Sequence, residues 1–267
     1  MKNKPLLLVL LPILFFFGCD KPSGELSTLS YGSSNGTTKT VTSNEISTFE
    51  GMGYEFWTDS GKGTMKIGEN GVFECTWDSS GNKNILFRRG TKYSSPLKPH
   101  TGIGKISVEY AATYSPGISG ISYFCVYGWT RDTSLPTNNP NRLVEYYIID
   151  NWSGFYSGGT PNAAARPPGN WEESLTRKGT LEVDGGIYDI WTSVRTDKPS
   201  IDGNRTFMQY WSVRQDKRLS GTIDVSAHFN EWNKLGMPMG GLYEVALTVE
   251  GFNNVGSAKI TKNILKP

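Results

Sequence analysis

Two glutamates stand where a carboxylate is costly. Val144 to Asp150 reads VEYYIID and Val249 to Phe252 reads VEGF, so Glu145 and Glu250 each interrupt an apolar, strand-like run. Placing a carboxylate among Val and Tyr carries a desolvation cost that a polar position avoids. Period two along the first run puts Glu145 and Tyr147 on one face and Val144, Tyr146 and Ile148 on the other. Glu250 is followed by Gly251, expected to leave space beside the carboxyl. Cleavage of a glycosidic bond needs two such carboxyls, one acting as nucleophile and one giving a proton to the leaving oxygen. Taken singly, either glutamate also fits a solvated residue at a strand end.

Other chemistries have little to work with. His100 and His228 are the only histidines, and beyond Cys19 the cysteines are Cys75 and Cys125. These make neither a His/Cys metal site nor a Cys/His nucleophile, so no metal or cofactor is expected. Cys75 and Cys125, each in a strand-like run, fit either a disulfide or two buried thiols. His228 falls in a helical pattern and reads as a packing residue. The 27 basic residues less Lys2 and Lys4 of the leader equal the 25 acidic ones. A neutral chain lacks the basic footprint of a nucleic-acid binder, and its 13 Tyr and 8 Trp suit a neutral polar polymer.

The elements that must position these residues are mostly strands. Short alternating runs separated by Gly, Asn, Asp or Pro indicate an all-β sandwich or barrel. They include Thr64–Ile67, Val72–Trp77, Ile106–Tyr114, Ser122–Trp129, Leu143–Asp150, Gly179–Val183, Tyr188–Arg195, Phe207–Arg214, Gly221–Val225, Tyr243–Glu250 and Ala258–Asn263. One helix is predicted over 224–236, where Val225, Phe229 and Trp232 recur at i, i+4 and i+7 between a capping Asp224 or Ser226 and Gly236.

Residues 1–18 form a targeting segment, with Lys2 and Lys4 before the apolar run Leu6–Phe17. Gly18-Cys19 resembles the lipobox of a bacterial lipoprotein signal, although Phe16 and Phe17 are bulkier than that motif's usual residues. The resemblance implies lipidation at Cys19 and a membrane tether at the bacterial envelope or cell surface; an ordinary secretion signal is the alternative. Residues 19–45, rich in Ser, Thr and Gly, read as a flexible spacer, and 46–265 as the functional domain.

Eight stretches carry a more specific resemblance. YEFWTDSG (54–61), YGWTR (127–131), VEYYIIDNW (144–152), DGGIYDIW (184–191), KPSIDG (198–203), QYWSVRQDKRLSGTI (209–223), HFNEW (228–232) and VEGF with GSA (249–252 and 256–258) follow in order. Together they resemble glycoside hydrolase family 11 endo-β-1,4-xylanases over nearly all of 54–262. The resemblance implies a β-jelly-roll sandwich of two twisted antiparallel sheets with a concave cleft and one α-helix. It implies a monomer that hydrolyses xylan and xylo-oligosaccharides by retaining double displacement, Glu145 the nucleophile and Glu250 the general acid/base. Trp57 would be a sugar-stacking platform. Tyr127, Tyr147 and Gln209 would hydrogen-bond the sugar or the nucleophile. Pro199 would sit at the tip of a "thumb" hairpin over the cleft, with Arg195 near its base. Asn84 would contact the acid/base, and an amide there implies a near-neutral pH optimum.

Three departures from that pattern are visible: the polar loop 132–142, the enlarged segment 162–171, and Phe252 where Tyr is usual. The loop is expected to extend the cleft rim or to meet substrate side groups. The competing readings are a jelly-roll glucanase acting on cellulose or β-glucan, and a non-catalytic glycan-binding protein, which would not need both glutamates.

Overall fold

A computed structural model describes residues 37–154 and 175–266. The leader, Cys19 and the segment 162–171 lie outside the described residues. In chain order the strands are β1 (Lys39–Val41), β2 (Glu45–Phe49), β3 (Met52–Thr58), β4 (Lys62–Ile67), β5 (Phe73–Asp78), β6 (Asn84–Lys92), β7 (Ser107–Pro116), β8 (Ile121–Arg131), β9 (Leu143–Ser153), β10 (Thr176–Val183), β11 (Gly186–Ser200), β12 (Gly203–Arg214), β13 (Ser220–Ile223), β14 (Gly241–Leu242), β15 (Glu244–Phe252) and β16 (Val255–Lys266). The helix α1 is Val225–Lys234.

The strands form two sheets. One runs β1-β4-β5-β16-β7-β13; the other runs β10-β11-β12-β9-β8-β15-β6-β3-β2, with β14 paired to β8. Pairing is antiparallel except between β9 and β12, which run parallel. This one pair departs from the antiparallel arrangement expected. A parallel neighbour needs a long crossover rather than a tight hairpin, and the chain between Ser153 and Gly203 provides it.

Alternation along each strand decides what is core and what is cleft. On β9, Val144, Tyr146 and Ile148 enter the core between the sheets, whereas Leu143, Tyr147 and Ile149 join a second apolar cluster on the other face. Asp150 follows this alternation into the core, and a bulge where β8 meets β9, between Phe124 and Cys125, then shifts the register so that Trp152 joins the second cluster. β15 follows the same logic: Val245, Leu247 and Val249 pack inward. Gly251 is also on the inward face. A Cβ there would meet Trp77 Nε1 at 2.8 Å, so this glycine makes room for a core tryptophan rather than for a ligand.

Helix α1 forms as its pattern predicts. Asp224 caps it by accepting from the Ala227 amide at 3.0 Å, and Val225, Phe229 and Trp232 are buried. Gly236 ends it at φ +71°, a left-handed conformation that glycine adopts without strain. His228 is fully buried, with neither ring nitrogen hydrogen-bonded and its ring edge-on to Tyr188 at 4.6 Å. Burial, with the Arg218 and Arg214 charges, pushes its pKa down to about 3, so it packs as a neutral ring. Cys75 and Cys125 are buried free thiols, one in the inter-sheet core and the other in the second cluster.

Strand structure is present before the predicted boundary at 46. β1 pairs with β4 inside the stretch read as spacer, burying Val41. Strands β3 and β6 carry Trp57 and Asn84.

Candidate active site

The long sheet presents a cavity of about 670 Å³. Trp57, Asn84, Tyr127, Glu145, Tyr147, Arg195, Pro199, Gln209 and Glu250, drawn from seven strands, all line it. None of residues 132–142 lines it, so the expected extension of the rim by that loop is not observed. The loop instead closes on itself: Asp132 accepts from the Ser134 amide at 2.9 Å, and Arg142 donates to the Thr133 carbonyl at 3.1 Å.

Glu145 is the buried member of the pair, 8% exposed. Tyr127 donates to its Oε1 at 2.8 Å and Gln209 Nε2 to its Oε2 at 2.7 Å. Each donor is itself oriented. Trp129 Nε1 donates to the Tyr127 oxygen at 2.6 Å, which leaves the phenolic proton free to point at Glu145. Ser193 donates to Gln209 Oε1 at 3.1 Å, and Trp211 Nε1 donates to Ser193 at 3.3 Å. Gln209 is placed by the parallel register that sets it opposite Glu145. Burial pushes the Glu145 pKa up, while Gln209, Tyr127, the Arg195 charge and Tyr147 pull it back towards the ionised form.

Glu250 reaches the same cavity from β15 in a different environment. Asn84 Nδ2 donates to its Oε1 at 3.2 Å, and its Oε2 is buried with no hydrogen-bond partner. Burial first, and the charge of Glu145 second, push its pKa up to about 7, against Asn84, Tyr147 and Arg195. One carboxyl is held by two donors, and the other is poised to keep a proton near neutrality. A contrast of this kind is what a nucleophile and a proton donor would need.

The rest of the wall is aromatic. Tyr147 stacks on Trp211 with centroids 4.2 Å apart and planes 7° from parallel, and Tyr123 meets both edge-on. Such faces suit sugar rings. The hairpin β11–β12 carries Pro199 into the cavity wall, and its tip is tied to β8 by Arg131, whose Nε donates to Asp202 Oδ2 at 3.2 Å while Nη2 pairs with Oδ1.

Sequence reasoning missed Tyr123, Trp129, Ser193 and Trp211 as site residues, although all but Ser193 sit in aromatic strand runs whose alternation puts them on the Glu145 face. It also missed Glu55 and Arg88, which line the cavity from β3 and β6. Their only signal was a charge inside an alternating strand.

Fold and site together define a jelly-roll protein with a paired-carboxyl cleft of the kind used on glycosidic bonds. The chain belongs to the glycosyl hydrolases of family 11, whose family model matches residues 49–261. It is 44% identical over 227 residues to endo-1,4-beta-xylanase A of Bacillus pumilus, covering 85% of this chain and 86% of that one. It is 46% identical over 223 residues to endo-1,4-beta-xylanase A of Thermoclostridium stercorarium, covering 84% of this chain but spanning only 30% of that relative's length. The family 11 xylanase structure from Neocallimastix patriciarum superposes with TM-score 0.71 at 36% identity, covering 86% of this chain and 99% of that one. The wild-type ENZbleach xylanase gives TM-score 0.73 at 31% identity, covering 92% and 94%.

Proposed function

We propose that this protein is an endo-1,4-β-xylanase that cleaves xylan with net retention. Glu145 attacks the anomeric carbon while Glu250 protonates the leaving oxygen, giving a glycosyl-enzyme ester. Esterification neutralises Glu145 and removes the charge that helps hold the Glu250 proton. Glu250, now a carboxylate, takes a proton from water as that water attacks the anomeric carbon and frees Glu145. Trp57 offers a stacking face, Tyr127, Tyr147 and Gln209 order sugar and nucleophile, and Pro199 with Arg195 lies over the bound chain.

The observation that carries this reading is the contrast between the two carboxyls on one cleft floor, Glu145 held by Tyr127 and Gln209, Glu250 raised to about 7 with one oxygen unpartnered. Family membership and the names of the relatives support xylan as the polymer. Proton NMR of fresh xylo-oligosaccharide digests, run beside assays on xylan and carboxymethyl-cellulose, tests it. β-anomeric product first and activity on xylan are expected; α-anomer first, or hydrolysis of the cellulose alone, would sink the assignment.

We further propose that residues 1–18 export the protein, that Cys19 carries the lipid, and that the domain acts as a monomer tethered at the bacterial envelope or surface. Labelled fatty acid should enter the wild type but not Cys19→Ala; equal labelling of both would refute the anchor.

A further inference from the structure

We propose that Arg88 is a positioning residue: it holds the ring of Tyr127, and through that ring the hydrogen bond donated to Glu145. The inference rests on the reading of Glu145 as nucleophile.

Arg88 reaches Tyr127 because of strand register. On β6, Asn84, Leu86 and Arg88 all line the cavity. Across β15, Arg88 lies opposite Thr248, and Ala246 lies opposite Tyr127. These small residues leave a channel between β6 and β8, and the guanidinium lies there with its carbon 5.0 Å from the Tyr127 ring centroid. A guanidinium over a phenol face is an attractive cation–π contact, stronger when desolvated, and Arg88 is only 5% exposed.

The guanidinium is itself locked. Nε donates to Glu55 Oε2 at 3.1 Å with Nη2 on the same oxygen, and Nη1 lies 3.1 Å from Glu244 Oε2. Lys92 adds a second cation, 3.0 Å from Glu55 and 3.8 Å from Glu244. Two carboxylates and two cations thus balance on the cleft side of the sheet. A buried ion cluster is a weak stabiliser compared with apolar side chains of the same volume, so stability alone gives little reason for one here. Its specific product is orientation. The fork fixes the plane of Arg88, and Arg88 caps one side of Tyr127 while Tyr147 meets the ring edge-on at 5.0 Å and Trp129 holds its oxygen. A lysine would keep the charge and lose the planar cap.

The other groups facing Glu145 are Gln209 from β12, Arg195 from β11, Tyr147 on its own strand and Glu250 from β15. None of these is touched by the test. Arg88→Lys, Tyr127→Phe and the double variant are compared with wild type by carbon-13 titration of the Glu145 carboxyl, by kcat and KM on xylan, and by thermal midpoint. Arg88→Lys is expected to raise the Glu145 pKa and cut kcat about tenfold with KM changed less than about twofold, as a small misplacement near the reacting atoms does. In the Tyr127→Phe background the same substitution should then change neither quantity. Persistence of its effect without the Tyr127 hydroxyl, or a fallen thermal midpoint with an unmoved Glu145 titration, overturns the proposal. Should Arg88→Lys fail to fold, the quadruple variant Arg88→Met, Lys92→Met, Glu55→Gln, Glu244→Gln removes the four charges together and is judged by the same cycle. A wild type without xylan hydrolysis would count against the proposed function, whereas the carboxyl titration judges Arg88 either way.

Discussion

Glu145 and Glu250 are the same residue type on the same sheet face, and their neighbours alone make them different. Because burial and the Glu145 charge raise Glu250 to about 7, its proton is present below that pH and lost above it. The rate on xylan is therefore expected to fall on the alkaline side with a midpoint near 7, read directly from a pH profile of kcat/KM. The same shift has a stability sign. Between the ordinary carboxyl pKa and about 7 the folded protein keeps a proton that the unfolded chain releases, so stability falls as pH rises through that window. Glu250→Gln removes this loss and should gain on the order of 3 kcal/mol over wild type at pH 8 but little at pH 4, measured by denaturant melts. Asn84 adds a hydrogen bond to Glu250 without a proton equilibrium of its own. Asn84→Asp would couple a second carboxyl to the acid, so the productive protonation state retreats and the optimum should move to lower pH. Coincident profiles would refute the role of the amide.

At the scale of elements, the β11–β12 hairpin depends on something outside itself. Its tip is held to β8 by the two-point contact of Arg131 with Asp202, both partly exposed. A pair of this kind contributes under about 1 kcal/mol to stability, so its effect lies in where it holds the hairpin. Asp202→Asn is expected to raise KM for xylan several-fold with kcat and thermal midpoint nearly unchanged, and steady-state kinetics across two salt concentrations check it. Element prediction from sequence was most secure for the long apolar and aromatic runs of β8, β9 and β15, and for α1 with its Asp224 cap. β3 was recognised only as a motif, and in β6 only Asn84 was singled out. In β6 the pair Arg88-Arg89 is buried on opposite faces, so it looks polar in sequence while behaving as interior. β1 lay unseen in Ser/Thr-rich chain because three residues pairing with β4 leave too little pattern to read.

At the scale of the whole molecule, the two sheets are joined by more than apolar contact. Asp150, fully buried on β9, accepts from Tyr188 at 2.6 Å, from Tyr110 of the opposite sheet, and from Arg218 Nε at 2.6 Å. Removing one member leaves a buried charge or donor uncompensated. Asp150→Ala should therefore cost about 3–5 kcal/mol, with the loss appearing in thermal or denaturant melts rather than in KM. The amino-acid sequence by itself determined the strand alternation, the single helix, the two glutamates and the ordered motifs, because these depend on local period and residue type. The tertiary structure decided which faces became cleft: the parallel register that brings Gln209 to Glu145, the bulge at Asp150, and the packing of Gly251 against Trp77. It also decided the pKa contrast and the Arg88–Tyr127 contact, since desolvation and charge proximity exist only once strands far apart in the chain lie side by side.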